Sequence, residues 1–391
     1  MKIIVFTHPP FLEHKSMHRY AHMLGEGMKK RGHNVSYWTA SPLFFKIPVS
    51  VGLKKWLSYV DQYIVFPLQL RQRIRRNEED TLYVFTDHAL GPWIPAVADK
   101  PHVIHCHDFM AQFSAEGKFV ENAVSWSGRQ FQSLIRRGFN KGRHFISISE
   151  KTRSDLHFFL SEKVPLTSKM IHNGLNPIFK PHSQLDARIR LTVRTGIDMM
   201  GGYLLHVGGN QWYKNRPGVI EIYNSWRRSG KQSLPLVLFG SKPDKALSDC
   251  YEKSPYKKDI HFISGMPDCV IHLAYAGASL LLFPSYSEGF GWPVIEAMGS
   301  GCIVLTTDEE TLRVVSADAA FLIPVRPQTA GKTAEWADFA AHIVSRILAF
   351  SDSERMQVIE RGFVNVKRFD AESKLNEIEE IYKTIVNIPT S

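Results

Sequence analysis

Cysteine is scarce in this chain. The four residues, Cys106, Cys250, Cys269 and Cys302, are scattered through 391 positions and form no C-x-x-C pair. Neither a disulfide framework nor a zinc knuckle is implied, and a reducing compartment fits best. Long apolar runs are missing too: nothing approaches the ~20 consecutive apolar residues of a membrane-spanning helix. The opening run from Lys2 to Phe6 stops at Thr7, His8 and two prolines, so it reads as a buried first strand rather than a signal-peptide core. Internal repeats and low-complexity segments are absent. No G-x-G-x-x-G follows an expected strand, which argues against a dinucleotide-dependent dehydrogenase, and no D-x-D offers to chelate a metal. These absences describe a soluble cytoplasmic chain, with peripheral attachment at the inner membrane face left open.

What is present is ordinary for a packed protein: 44% hydrophobic and 22% charged residues, with 26 Gly and 21 Pro. The length favours two domains. The net charge of +10 is unevenly spread. Residues 1–200 hold 28 Lys and Arg against 16 Asp and Glu, whereas the remainder holds 20 against 22. The basic first half points to an anionic partner for that half.

Short apolar runs alternate with amphipathic stretches. Lys2–Thr7, Val35–Thr39, Leu82–Thr86, Val103–Cys106, His144–Ser149 and Met170–His172 read as one series of strands. Between the first two, Met17, Tyr20, Ala21, Leu24 and Met28 keep helical spacing, and Gly32 stands where a helix cap belongs. Pro177–Met200 reads as a linker. A second series follows at Tyr203–Val207, Leu236–Phe239, Ile260–Ile263, Leu280–Phe283, Ile303–Thr306 and Phe321–Val325, and the tail from Glu335 to about Ile388 is nearly all helical. The fold class expected is α/β, with two doubly wound Rossmann-like domains facing across a cleft: 1–185, and 200–391 with its helical tail. One segment, Lys54–Arg76, is amphipathic and ends in Arg71, Arg73, Arg75 and Arg76. It reads as a helix over the first sheet with a solvated basic end, the alternative being a segment that lies on an anionic membrane.

The most informative stretch runs from Pro284 to Gly301. A buried strand ends at Phe283, a loop with Gly289 and Gly291 follows, and Pro293 suits the first turn of a helix. Strand, glycine loop and helix N-terminus can hold phosphate, because free backbone N–H groups and the helix dipole favour an anion. Glu288 and Glu296 would repel phosphate and need hydroxyl donors instead, as a sugar diol supplies. Phosphate on the amides and hydroxyls on the carboxylates describe a nucleotide sugar.

Glu288-Gly-Phe-Gly-Trp-Pro-Val-Ile-Glu296-Ala-Met, ending at Gly301, resembles the E-x7-E segment of the family 4 retaining glycosyltransferases, which have the GT-B fold. Trp292 stands where Leu is usual. The resemblance implies that Glu288 and the amides of Gly289, Phe290, Gly291 and Trp292 hold the transferred sugar, and that Glu296 binds the ribose. At Gly208-Gly209-Asn210-Gln-Trp-Tyr-Lys214-Asn215 the family usually has V-G-R-x3–5-K-G, whose Arg and Lys clamp the diphosphate. Lys214 matches, Gly209 takes the Arg position and Asn215 replaces the Gly. Gly265 and Met266 fall in the segment that holds the nucleobase.

In the first half the family's H-D pair after a strand is His107-Asp108, which implies His107 as the active-site histidine. His102 and His105 read as structural. Weaker likenesses cover His144 to Leu156, and Ile171 to Asn176. The family's first-loop glycines are replaced by His8-Pro9-Pro10 and Lys15-Ser16-Met17, and its later P-E pair by Leu312-Arg313. The resemblance therefore implies hexose transfer from a nucleotide-diphosphate sugar to a glycan or lipid-linked acceptor, in surface polysaccharide or glycolipid synthesis. No cofactor or metal beyond the donor is expected, and no nucleic acid. A non-catalytic nucleotide-sugar-binding subunit and a nucleotide-sugar epimerase of the same fold are the alternatives. With the donor motifs in the second half, the basic excess falls on the acceptor side, which favours an anionic acceptor or membrane surface.

Overall fold

The computed structural model describes residues 1–12, 15–75, 81–230 and 233–388. Among them are twelve strands in two parallel six-stranded sheets. The first sheet holds β1 (Lys2–Phe6), β2 (Asn34–Trp38), β3 (Thr81–Phe85), β4 (His102–Cys106), β5 (His144–Ser147) and β6 (Thr167–Met170), in the order β2-β1-β3-β4-β5-β6. The second holds β7 (Leu204–Gly208), β8 (Leu236–Gly240), β9 (Ile260–Ser264), β10 (Leu280–Phe283), β11 (Val304–Thr307) and β12 (Phe321–Ile323), in the order β12-β11-β10-β7-β8-β9. The central strands β3, β4 and β10 are buried at every residue, as expected where helices cover both faces of a parallel sheet.

Each strand order reverses once. In the first sheet the chain leaves β1 toward β2 and later returns to β3 on the other side of β1. In the second it leaves β7 toward β8 and returns to β10. At such a reversal the loops at the strands' carboxyl ends diverge and open a ligand crevice. The β1/β3 seam and the β7/β10 seam are therefore the places for chemistry in their respective units.

The chain divides into two units that differ from the expected pair. The first is Met1–Asn173 together with the tail from Glu372, and the second is Gly174–Ala371. The helix Ala371–Val386 buries Leu375, Ile378, Tyr382 and Ile385. Tyr382 Oη lies 2.7 Å from His105 Nε2 of β4, and Arg31 bonds to Glu372 at 2.7 Å. An apolar stripe with these partners belongs to the sheet it covers, so the tail's last helix is part of the first unit. The expected linker also contains the helix Gln184–Thr195, capped by Ser183 and ended by Gly196 at φ +71°. Arg188 of that helix donates to Gly277 O at 2.8 Å, within the second unit. Counted over the observed units, the formal charge is +8 for the first and +2 for the second, because the acidic tail joins the first unit and the basic stretch 174–200 passes to the second.

The Lys54–Arg76 stretch is helical over Val51–Val60, opens into one π turn at Asp61–Val65, and resumes over Phe66–Ile74 with Pro67 in its first turn. Phe66, Leu70 and Ile74 enter the core of the first unit. Arg76 lies outside the described residues, as do residues 13 and 14 of the first loop. Among the described residues no helix is long and apolar enough to cross a membrane.

Candidate active site

The second unit builds its crevice from two loops, one after β7 and one after β10. Thr306 Oγ1 and Thr307 Oγ1, on β11, donate to Phe283 O at 2.8 Å and to Ser285 O at 2.6 Å, so the end of β10 is pinned from its neighbour. The loop then reaches Gly291, whose φ of +96° an L side chain adopts only with strain. The helix Trp292–Gly299 starts there, with Pro293 in its first turn.

The β7 loop is latched onto this one. Tyr286 N donates to Tyr213 O at 2.8 Å, and Asn215 Nδ2 donates to Pro284 O at 2.9 Å. Asn215 sits at φ +49°, ψ +44°, and its Oδ1 accepts from Gly218 N to cap the helix Arg216–Arg228. That left-handed conformation explains the residue. A glycine meets it without strain, whereas Asn tolerates it and adds the cap.

Lys214 Nζ then lies 2.8 Å from Glu288 Oε1 and 3.0 Å from Oε2. Both side chains are largely buried, and the ammonium sits 4.9 Å from the centre of the Phe283 ring. Two sequence-expected residues from opposite sides of the β7/β10 seam are thus brought into one ion pair. Glu296 is buried about one turn into the helix Trp292–Gly299, where Tyr275 Oη donates to its Oε2 at 3.0 Å. Gly289 and Phe290 are buried, with the Phe290 ring packed at 5.5 Å on Phe369, and Trp292 is half-buried. Gly265, at φ +75°, has open space where a Cβ would stand, and Met266 beside it is half-buried. Both follow β9 at the sheet edge.

Gly208 closes β7 over His206. His206 Nδ1 donates to Leu282 O at 2.9 Å, which leaves Nε2 as a bare acceptor with no partner among the described residues. A Cβ on Gly208 would stand 2.9 Å from that nitrogen. Burial pushes the His206 pKa down to about 3, so the imidazole under the loop is neutral. After Gly209, the Asn210 side chain is engaged within its own unit: Nδ2 donates to Lys242 O at 2.7 Å and Oδ1 accepts from Arg216 Nη1. Arg216, absent from the sequence expectations, also donates to Ser241 O at 3.0 Å and lies over the Phe262 ring. It shapes the loop from beneath.

The first unit repeats the arrangement with other residues. His107 follows β4, is buried, and donates from Nε2 to Thr86 O at 2.9 Å. The Tyr20 ring meets it edge-on at 4.5 Å. Burial pushes its pKa down, so Nδ1 carries a lone pair at neutral pH. Thr152 Oγ1 donates to His107 O at 3.1 Å, and Ser149 caps the helix Glu150–Leu160, so the His144–Leu156 likeness marks a turn that supports His107. His105 bridges Tyr20 Oη and Tyr382 Oη at 2.7 Å each, and His102 is bonded to Lys100 O and Arg143 N. Both are structural.

Sequence reasoning missed the pair at the β1/β3 seam. His8 Nε2 lies 2.8 Å from Asp87 Oδ2, while Asp87 Oδ1 accepts from Ala89 N at 3.0 Å and lies 3.1 Å from His88 Nδ1. Burial alone would raise the Asp87 carboxyl, but the hydrogen bond from His8 and the adjacent His88 imidazole outweigh it and hold it well below the usual carboxylate range. The available signal was position: both residues sit just past strand ends at the point where the strand order reverses. Among the described residues no three His, Cys, Asp or Glu side chains gather to hold a metal.

Comparison with known proteins adds to this geometry. Residues 17–177 match the model of Glycosyltransferase Family 4, and residues 189–345 match that of Glycosyl transferases group 1. A stretch of 186 residues is 27% identical to the O-antigen chain mannosyltransferase B of Escherichia coli, covering 47% of this chain and 46% of that one. The chain spans about half the length of the curated relatives it matches. Among solved structures, sucrose-phosphate synthase from Thermosynechococcus elongatus superposes with a TM-score of 0.74 at 16% identity, over 98% of this chain and 99% of that one. The HepE protein of Anabaena in complex with UDP-glucose gives 0.69 at 15% identity, over 98% and 100%. The likeness in structure is one of fold, the GT-B fold.

Proposed function

The chain belongs to the family 4-like glycosyltransferases of the GT-B fold, and on that premise we propose that it transfers a hexose from a nucleotide-diphosphate sugar to a hydroxyl of a glycan or lipid-linked acceptor, with retention at the anomeric carbon. The relatives' role in O-antigen assembly supports a place in surface polysaccharide synthesis. UDP and UDP-glucose in the HepE complexes support a nucleotide-sugar donor.

The observation that carries the reading is the Lys214–Glu288 pair at the β7/β10 seam. In the transfer, the bond from C1 to the diphosphate oxygen breaks and the bond from C1 to the acceptor oxygen forms, while the acceptor proton leaves with the diphosphate. Negative charge accumulates on the departing diphosphate. Lys214, the amides of Gly208, Gly209 and Asn210, and the N-terminus of the helix Trp292–Gly299 are the groups we assign to it. Glu288 accepts from the sugar's hydroxyls with the amides of Gly289 to Trp292 beside it, Glu296 accepts from the ribose diol, and Gly265 and Met266 border the base. His107, in the first unit, serves the sugar and acceptor. The positive charge this scheme needs comes from the protein, so no metal and no cofactor enter it.

The test is turnover of purified protein across several nucleotide sugars with a lipid-linked or glycan acceptor, with and without EDTA. Product with retained configuration, unaffected by EDTA, supports the reading. Donor binding without turnover would make the chain a nucleotide-sugar-binding subunit. Conversion of donor in the absence of acceptor would make it an epimerase.

A further inference from the structure

The helical segment Val51–Ile74 presents one face to the core and another to solvent, and the solvent face is not an ordinary polar one. Leu53, Trp56, Ile64 and Leu68 are each between 56 and 63% exposed. Allowing for the wider π turn at Asp61–Val65, the four directions fall within roughly 60° of one another around the helix axis. The π turn narrows the stripe, since an uninterrupted α-helix would spread the same residues over roughly twice that arc. It is itself fixed from the core side, where Trp93 Nε1 donates to Gln62 O at 2.7 Å.

Charge on this segment has one sign. From residue 43 to residue 75 the chain carries Lys46, Lys54, Lys55, Arg71, Arg73 and Arg75 against a single acid, Asp61. Asp61 is buried, and its two oxygens accept from Phe44 N and Phe45 N at 2.9 Å each. The described surface of the segment therefore offers cations and no anion. Glu78, Glu79 and Asp80 follow in the sequence, beyond the described residues. The helix Trp126–Phe139 continues the surface. Phe131 stacks on Tyr59 at 5.1 Å and meets Tyr63 at 5.4 Å, Trp126 is 76% exposed, and that helix too contains basic residues and no acid.

We propose that this surface docks the protein on an anionic lipid bilayer, with Trp56, Ile64 and Leu68 entering the headgroup boundary and the flanking lysines and arginines resting on lipid phosphates. Apolar side chains on one stripe, interfacial aromatics beside them and cations around them are what such a boundary selects. A nucleic acid would use the cations and leave Leu53, Ile64 and Leu68 in water. A second copy of the chain would set like charge against like. The inference does not depend on the donor chemistry, and its failure would leave the proposed transfer intact.

The experiment is co-sedimentation of the full chain with vesicles of about one-third phosphatidylglycerol in phosphatidylcholine, compared with phosphatidylcholine alone. Binding to the anionic vesicles is expected, with affinity falling about tenfold or more in Trp56→Ser/Leu68→Ser and in Arg71→Glu/Arg73→Glu. All four positions are exposed, so thermal midpoints should match the parent's. Brominated acyl chains should quench the parent's fluorescence, Trp56→Phe should lower that quenching, and Trp56→Phe/Trp126→Phe should lose it. Equal binding to both vesicles, or unchanged binding by the variants, overturns the proposal. So does a loss in the same variants of duplex-DNA binding or of self-association, with vesicle binding retained.

Discussion

Lys214 Nζ and the carboxylate of Glu288, 74 residues apart in the chain, stand 2.8 and 3.0 Å from each other across the seam between β7 and β10. Each therefore answers the charge of the other before any ligand arrives. A diphosphate competes with Glu288 for the ammonium, and the sugar's hydroxyls compensate Glu288 when the ammonium turns away. The two truncations should consequently part company. Glu288→Ala frees Lys214, so affinity for a nucleoside diphosphate without sugar should hold or rise while transfer is lost. Lys214→Ala should weaken the same nucleoside diphosphate and lower kcat/KM by about 10²–10³. It should also destabilise the unit by about 3 kcal/mol, since it strands a buried carboxylate. Titration calorimetry with the bare diphosphate and chemical denaturation check both arms. A fall of diphosphate affinity in Glu288→Ala would contradict the assignment.

Asn215 offers a second, purely conformational test. Its φ of +49° and its cap to Gly218 N make Asn and Gly acceptable and Ala poor. Asn215→Gly gives up the cap and the bond to Pro284 O but relieves the backbone strain, so a loss of about 1–2 kcal/mol is expected. Asn215→Ala gives up the same two bonds and keeps the strain of a positive φ, so a larger loss of about 2–3 kcal/mol is expected. Urea denaturation of the pair settles the order.

How much of this was legible in the sequence depends on whether the signal was local. The buried central strands β3, β4 and β10 announce themselves as apolar runs. The Glu288–Glu296 segment carries its own strand, glycine turn and helix start. β6 was placed three residues late, because the edge strand Thr167–Met170 is polar and only half-buried. The helix Gln184–Thr195 is masked by Pro177 and Pro181 just before it and by the Gly196 break at its end. The tail's periodicity showed that it is helical, but periodicity does not name a partner, and the last helix packs in the first unit. His8 and Asp87 were invisible for the same reason. Nothing near either residue hints at the other, and only the reversal of strand order sets them side by side.

Acid should weaken the fold through histidines that are buried neutral. Burial pushes His105 and His206 down to about 3, against an unfolded value near 6.5. For a depressed folded pKa the unfolded chain binds more protons below pH 6.5, so stability rises with pH through that window. The stabilisation is complete above about pH 6.5 and is lost progressively toward pH 3. Asp87, held below its usual range, acts in the same direction at the acid end. Two such histidines should cost about 2–4 kcal/mol between pH 7 and pH 5. The urea midpoint should therefore fall over that interval and stay flat from pH 7.5 to 8.5. A midpoint insensitive to pH between 7 and 5 would contradict the buried, neutral state of these rings.

The tail's place in the first unit can be tested at one oxygen. His105 is buried in β4 between Tyr20 Oη and Tyr382 Oη, at 2.7 Å from each. A neutral imidazole has one donor and one acceptor, and here each is spent on one tyrosine. Tyr382→Phe keeps the ring in its pocket and removes only the hydroxyl, so one imidazole nitrogen is left without a partner in a dry core. The expected loss is about 1–3 kcal/mol. The double variant His105→Phe/Tyr382→Phe removes both ends of the bond and should lose less than the sum of the single changes, by at least about 0.5 kcal/mol. Strict additivity would mean that the two residues do not meet in solution, and the helix Ala371–Val386 would then have to be assigned elsewhere than on β4.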